Sequence, residues 1–312
     1  MSLFQRQIMT RGYEPDCTAT IPAGKILNYL EQLRWEFIRD PESGLQEHLA
    51  SGHFPVLRAQ RIEMVQRVGM DTPLNLFARV LKVGRNIVSI EHHVIDANTN
   101  TLVAHAIVDG IFLGPNRRPV RIPDGFRELG NYHQTLSAPD HTIASAHQPP
   151  LGGTLIHTNP ERTSFAPMGL DGFYHPEAAI EVPFEWSLQV RSSQIDIFSH
   201  VNAATYVDMF TDALYEASQS GQPEFKDFEQ ASIRRLAIQY QQEATVHQKL
   251  VARIWPTATQ EFGCELYRPR DGMTLCLAKL HMHCPRQETT EVLTPELATS
   301  NAADQTSDSK SV

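Results

Sequence analysis

Apolar residues recur along this chain in two periods, and the two periods alternate in the same order twice. Ile26, Leu30, Leu33 and Phe37 fall at helical spacing, and Pro41 with Gly44 closes the stretch, so a helix is predicted over about 25–39. From about Pro55 the period shortens to two. Leu74, Leu76, Ala78 and Val80 alternate with residues of the opposite face, and 87–95 and 102–112 follow the same rule. Gly84-Arg85-Asn86 and Asn98-Thr99-Asn100 supply turn chemistry between them. The second half repeats the order: a strand at about 183–192, a helix at about 203–218 carrying Tyr206, Phe210, Leu214 and Ala217, then a break at Gly221-Gln222-Pro223. Strands follow at about 231–241, 248–256, 260–268 and 274–284, with Arg270-Asp271-Gly272 as a hairpin turn.

Each half therefore reads as an extended segment, one helix and four antiparallel strands, an α+β unit. A sheet wrapped on a single helix must still cover its free edge. Two such units in one chain meet that need by pairing with each other, as an internal pseudo-dimer. The boundaries read as 1–130 for the first unit, 131–180 for a Pro-, Gly- and His-rich linker and 181–286 for the second unit. Residues 287–312 form a polar tail that cannot bury a core and is predicted disordered.

Charge narrows the partners. Lys and Arg number 27 against 36 Asp and Glu, a formal net charge of −9, with no basic block. Nucleic acid is not an expected partner, and a membrane surface gets no polybasic attraction. No apolar run approaches the roughly 20 residues that span a bilayer, and the N-terminal stretch lacks a secretory apolar core, so a cytoplasmic protein is expected. Cys17, Cys264, Cys276 and Cys284 have no metal-ligand spacing. Cys276 and Cys284 share one strand and would lie roughly 26 Å apart, out of disulfide reach. His281 and His283 share a face without an acid or thiol at ligand spacing, so neither a metal nor a cofactor is expected.

The candidate chemistry is concentrated in Gln194-Ile195-Asp196-Ile197-Phe198-Ser199-His200-Val201-Asn202, immediately before the second helix. Unpaired backbone N–H groups and the helix dipole favour negative charge at such a junction. A carboxylate, an imidazole and a carboxamide placed there could supply both a base and an anion site, which acyl hydrolysis requires. The plainer reading of Asp or Asn in this position is a helix cap.

Asp196-x-x-x-His200-Val201-Asn202-x-x-x-Tyr206 within strand–helix–four strands resembles the hotdog-fold thioesterases, nearest the acyl-acyl-carrier-protein and 4-hydroxybenzoyl-CoA branches. Leu236 to Ala244 resembles the carrier-protein enzymes' strand that ends Y-x-x-E-C, with Glu243 at the Glu position and Ala244 in place of the Cys. The carrier-protein motif D-x-N-x-H-V-N-N is broken at Phe198 and Ala203. The resemblance implies a tandem (double) hotdog that hydrolyses an acyl-CoA or acyl-carrier-protein thioester by carboxylate-activated water. It assigns Asp196 as base or nucleophile, His200 and Asn202 to hold water or substrate, and Glu243 to share the base role. The backbone N–H groups of Val201 and Asn202 would form the oxyanion hole. In the first half, 18–25 lacks an acid and Asp16 reads as a turn residue, so that half is expected to be a non-catalytic wall. Further homo-oligomerisation is left open. The competing readings are a hotdog hydratase or dehydratase and a non-catalytic acyl-CoA or acyl-carrier binding module.

Overall fold

The computed structural model describes residues 3–142 and 183–284; most of the predicted linker and all of the tail lie outside the described residues. The first half contains β1 (Phe4–Met9), α1 (Ala23–Arg39), α2 (Gln46–Ala50), β2 (Phe54–Met64), β3 (Pro73–Val83), β4 (Ile87–Asp96), β5 (Thr101–Leu113) and α3 (Asp124–His133). The second contains β6 (Phe184–Gln189), α4 (Ala203–Gln219), β7 (Ser232–Tyr240), β8 (Lys249–Ala258), β9 (Glu261–Arg268) and β10 (Met273–His283).

All ten strands form one antiparallel sheet in the order β1-β3-β4-β5-β2-β7-β10-β9-β8-β6. Read from either end the order is the same once β1 is matched with β6, β3 with β8, β4 with β9, β5 with β10 and β2 with β7. The halves join at the middle of the sheet, where β2 pairs with β7 from Ala59↔Gln239 to Glu63↔Arg235. That continuous pairing removes one edge from each half, as the pseudo-dimer reading required.

The helical stripe of α1 lies inward: Ile26, Leu30, Leu33 and Phe37 are all buried, and α1 packs against α4 in one core with the inner faces of the strands. The two helices approach closely at Gly24, where a Cβ would fall 2.2 Å from Asp208 Oδ1. Gly263 gives β9 room in the same way, since a Cβ there would lie 2.4 Å from the Trp255 ring.

Two elements depart from the one-helix-per-half expectation. α2 is a single short turn. α3 spans the boundary drawn at residue 130 and buries Phe126, Leu129, Gly130 and His133. It closes the inner face where β1 has already ended at Phe4↔Ala78, and there His133 Nδ1 accepts from the Val80 N–H at 3.1 Å. Beyond α3 the chain crosses to the outer face: Arg79 Nη1 donates to Leu136 O at 2.9 Å, and Thr142 bridges to Thr101. The predicted linker therefore begins as part of the first half.

None of the four cysteines pairs with another, and Cys264, Cys276 and Cys284 serve as buried small apolar residues.

Candidate active site

The loop entering α4 is built by its own carboxylate. Asp196 Oδ1 accepts from the Phe198 N–H at 2.8 Å and the His200 N–H at 3.3 Å. The Asp196 N–H donates to His200 O at 2.8 Å, the Ser199 N–H to Asp196 O at 3.1 Å, and Ser199 takes a left-handed φ of 66°. Asn202 is the N-cap: its Oδ1 accepts from the Ala204 N–H at 2.9 Å. Its Nδ2 donates across to Glu31 Oε2 on α1 at 3.0 Å.

His200 and Glu243 come together although 43 residues separate them in sequence, with His200 Nε2 lying 2.9 Å from Glu243 Oε2. A carboxylate only accepts, so when the ring is neutral it is Nε2 that bears the proton facing Glu243, with the lone pair on Nδ1. The first half adds Arg117, whose Nη1 lies 3.5 Å from the same Glu243 oxygen. Arg117 stands at a φ of 58° in the loop after β5.

The expected oxyanion donors need correction. The Val201 N–H donates to Ala244 O at 2.9 Å and the Asn202 N–H to Gln194 O at 3.1 Å, so both are committed to closing the loop. The Ala203 N–H, at the first position of α4, has no acceptor among the described residues. The carbonyl of Ala203 is held from behind by Tyr240 Oη at 2.9 Å, which in turn accepts from Gln60 Nε2 at 2.5 Å. Tyr206 is a core residue, 3% exposed, and its Oη accepts from the Ala244 N–H at 3.0 Å.

Behind this network lies a buried polar cluster in the first half. Burial draws the Arg34 guanidinium down to about 10, with Glu31 and Tyr240 opposing, and Arg34 Nη1 has no partner among the described residues. Burial also holds the His92 imidazole well below its usual range, helped by the nearby Arg34 charge, and neither ring nitrogen has a partner among the described residues.

The first half contains a counterpart of the loop that repeats most of its hydrogen bonds. The Asp16 N–H donates to Thr20 O at 3.0 Å, the Ala19 N–H to Asp16 O at 2.9 Å, and the Ile21 N–H to Val68 O at 2.8 Å. Asp16 Oδ1 accepts from the Thr18 N–H at 2.8 Å, and Ala19 has a φ of 58°. Asp16 is thus the equivalent of Asp196: it is a turn residue, as expected, but it stands just before 18–25 as the acid of the first half's loop. The differences are Thr20 for His200, Pro22 for Asn202 and Arg67 for Glu243. Arg67 Nη2 even reaches Thr20 Oγ1 at 3.3 Å, as Glu243 reaches His200.

Sequence reasoning named Asp196, His200, Asn202 and Glu243, and the structure gathers them around one loop. It missed Glu31 on α1, Gln60 on β2, Tyr240 Oη at the end of β7 and Arg117 in the loop after β5, three of them from the first half. Phe198, 48% exposed, stacks on Trp35 of α1 with ring centroids 5.5 Å apart, and Ile197 beside it is 83% exposed.

With this geometry in place, comparison with known families is informative. Residues 23–129 match the thioesterase-like superfamily, and residues 177–281 match the acyl-ACP thioesterase C-terminal domain. An acyl-ACP thioesterase from Bacteroides thetaiotaomicron superposes with a TM-score of 0.63 at 17% identity, covering 91% of this chain and 100% of that one. The 12:0-ACP thioesterase from Umbellularia californica gives 0.65 at 14% identity, covering 90% and 97%. At such identities these structures establish the shared fold. No curated protein sequence matches the chain significantly. Fold and family matches together define the class: a double-hotdog thioester hydrolase. The first half thus carries a domain of the thioesterase-like superfamily and the second a domain of the acyl-ACP thioesterase C-terminal type. Among the described residues no helix is long and apolar enough to cross a membrane.

Proposed function

We propose that this protein hydrolyses an acyl-carrier-protein thioester to the free acid and the carrier thiol, at one site per chain located at the N-terminus of α4. The observation that carries the reading is the His200–Glu243 pair at 2.9 Å, formed beside an uncommitted α4 N–H. Glu243 fixes the tautomer, and His200 Nδ1 takes a proton from water as the water oxygen attacks the thioester carbonyl carbon. The remaining oxygen of Asp196, Oδ2, holds that water. The Ala203 N–H and the helix dipole stabilise the tetrahedral oxyanion. Collapse breaks the carbon–sulfur bond, and the departing thiolate recovers the proton from His200. Asn202 keeps the helix start in place through its cap and its bond to Glu31.

In this reading Glu243 orients rather than shares the base role, and Asp196 positions water rather than attacking. Ala244 has no thiol to serve as nucleophile. The choice of a carrier protein over CoA is supported by the second-half family match. Purified protein is assayed by thiol release against acyl-carrier proteins and acyl-CoAs of graded chain length. Hydrolysis favouring the carrier forms and falling roughly 10²–10⁴-fold in His200→Ala supports the proposal. A wild-type protein inert towards every thioester, or an undiminished His200→Ala, overturns it.

A further inference from the structure

The outer face of the first half's sheet, turned away from α1 and α4, carries a cluster that the hydrolytic site does not use. Glu91 and His93 lie two apart on β4 and share that face, while His105 on β5 stands directly opposite His93 in the strand register. Opposite residues of an antiparallel pair hold their Cβ atoms about 4.5–5.5 Å apart, so this register alone forces the two imidazoles together. Their ring centroids are 4.9 Å apart. His105 Nε2 lies 3.0 Å from Glu91 Oε1, and one ligand atom from each of Glu91, His93 and His105 falls within 4.8 Å of the others. Glu91 and His93 are 9% and 6% exposed.

Three features around the cluster resemble the outer shell of a metal centre. Arg79 Nε binds the other oxygen of Glu91, Oε2, leaving Oε1 to face the imidazoles. Ligating carboxylates are commonly oriented by just such a donor. His141, on the segment crossing this face after α3, brings its ring to 5.5 Å from that of His93. Its Nδ1 is 2.8 Å from Pro139 O, and a carbonyl can only accept, so Nε2 is the free lone pair. A histidine with Nδ1 tied to a carbonyl is the ordinary arrangement of an Nε2 metal ligand.

We propose that Glu91, His93, His105 and His141 bind one divalent transition-metal ion of the zinc type. Three nitrogens and one carboxylate oxygen match the zinc donor preference, and tetrahedral bonds of about 2.0–2.1 Å place ligand atoms roughly 3.3 Å apart. Among Glu91, His93 and His105, separations of up to 4.8 Å require a contraction of up to about 1.5 Å, and His141, which stands farther out, turns its ring inward to complete the set. The ion is structural: it clamps the segment 136–142 onto the sheet, beside the bonds already made by Arg79 to Leu136 O and by Thr142 to Asn100 O. It lies on the face opposite the helices, so thioester hydrolysis does not run through it.

The test uses full-length, tag-free protein stripped with a chelator and titrated with Co²⁺. One equivalent per chain binding with the visible absorption of a four-coordinate site, displaced by Zn²⁺, is the expected result. Zn²⁺ at about 100-fold over its Kd raises the Tm by several degrees. His105→Gln, which retains a hydrogen bond to Glu91, abolishes the stoichiometric site, and His141→Gln weakens it about 10-fold or more. Near-ultraviolet circular dichroism and undiminished thioester hydrolysis confirm that both variants are folded. Absence of saturable binding in the wild type, or stoichiometric binding that survives in a folded His93→Gln/His105→Gln double variant, overturns the proposal.

Discussion

Asp16 and Asp196 perform the same task in the two halves, and that equivalence provides an internal control for catalysis. Asp196 Oδ1 accepts at 2.8 and 3.3 Å from two backbone N–H groups. Asp16 Oδ1 accepts at 2.8 and 2.6 Å from the Thr18 N–H and Oγ1. Replacing either by Asn keeps an Oδ1 acceptor and removes only the charge. A hydrogen bond to a charged group contributes about 1.5–3 kcal/mol and a neutral one about 0.5–1.5 kcal/mol. For two bonds on a half-exposed loop, each variant should lose about 1 kcal/mol of stability. Guanidinium melts should therefore find Asp16→Asn and Asp196→Asn alike. Thiol-release kinetics should separate them. Asp16→Asn keeps the wild-type kcat, whereas Asp196→Asn lowers it by about 10²-fold, the usual effect of misplacing a reactant. If Asp196→Asn retains kcat within a few-fold, its carboxylate only forms the turn, and the water-holding role fails.

Four other outcomes follow from individual contacts. Glu243→Gln can no longer fix the His200 tautomer, and steady-state kinetics should show kcat falling by about 10²-fold or more with KM little changed. Burial raises the Asp208 carboxyl from 3.8 to about 6, with Lys25 opposing and Asp212 adding. The folded state thus holds this proton more tightly than the unfolded one, so the group's contribution is full below its unfolded pKa and lost as pH rises through the folded value. Asp208→Asn should gain on the wild type by up to about 3 kcal/mol between pH 4 and 6.5, read from denaturant midpoints across pH. His92→Phe removes two unpartnered buried nitrogens and should raise stability by about 1–2 kcal/mol in the same melts. Gly263→Ala drives a methyl to 2.4 Å from the Trp255 ring and should cost about 3 kcal/mol or give insoluble protein on expression.

The architecture was legible because its signals are local. Period 3.6 in 26–37 and 203–217 and period 2 in the strands carry the helices and the meanders. α3 went unread because Asp124-Gly125-Phe126 follows a proline and the helix buries only a few residues, a pattern no stronger than a loop's. In the site, Asp196, His200 and Asn202 were visible because they fall in one loop. The oxyanion donors were misassigned for a non-local reason: the partner of Val201 N–H is Ala244 O, contributed from beyond β7. The metal ligands escaped because His93 and His105 are twelve residues apart, a spacing without meaning until the β4–β5 register sets them opposite one another.

The first half also reaches across to the second. Four contacts from it converge on the start of α4: Glu31 on Asn202 at 3.0 Å, Trp35 on Phe198 at 5.5 Å, Gln60 on Tyr240 at 2.5 Å, and Arg117 on Glu243 at 3.5 Å. Phe198 stands where the carrier-protein motif has an asparagine, and its stacking on Trp35 shows what the substitution achieves: a lost carboxamide is replaced by an anchor between halves. Under the proposed function, a half with Thr, Pro and Arg at the positions of His, Asn and Glu carries no hydrolytic site of its own. It is therefore free to place those four side chains on its neighbour. A tandem chain permits such asymmetry, because its two halves can differ in sequence where the protomers of a homodimer cannot. Glu31→Ala or Trp35→Ala should accordingly lower hydrolysis although neither residue touches the reacting atoms, with the loss appearing in kcat and the α4 cap loosening in amide exchange.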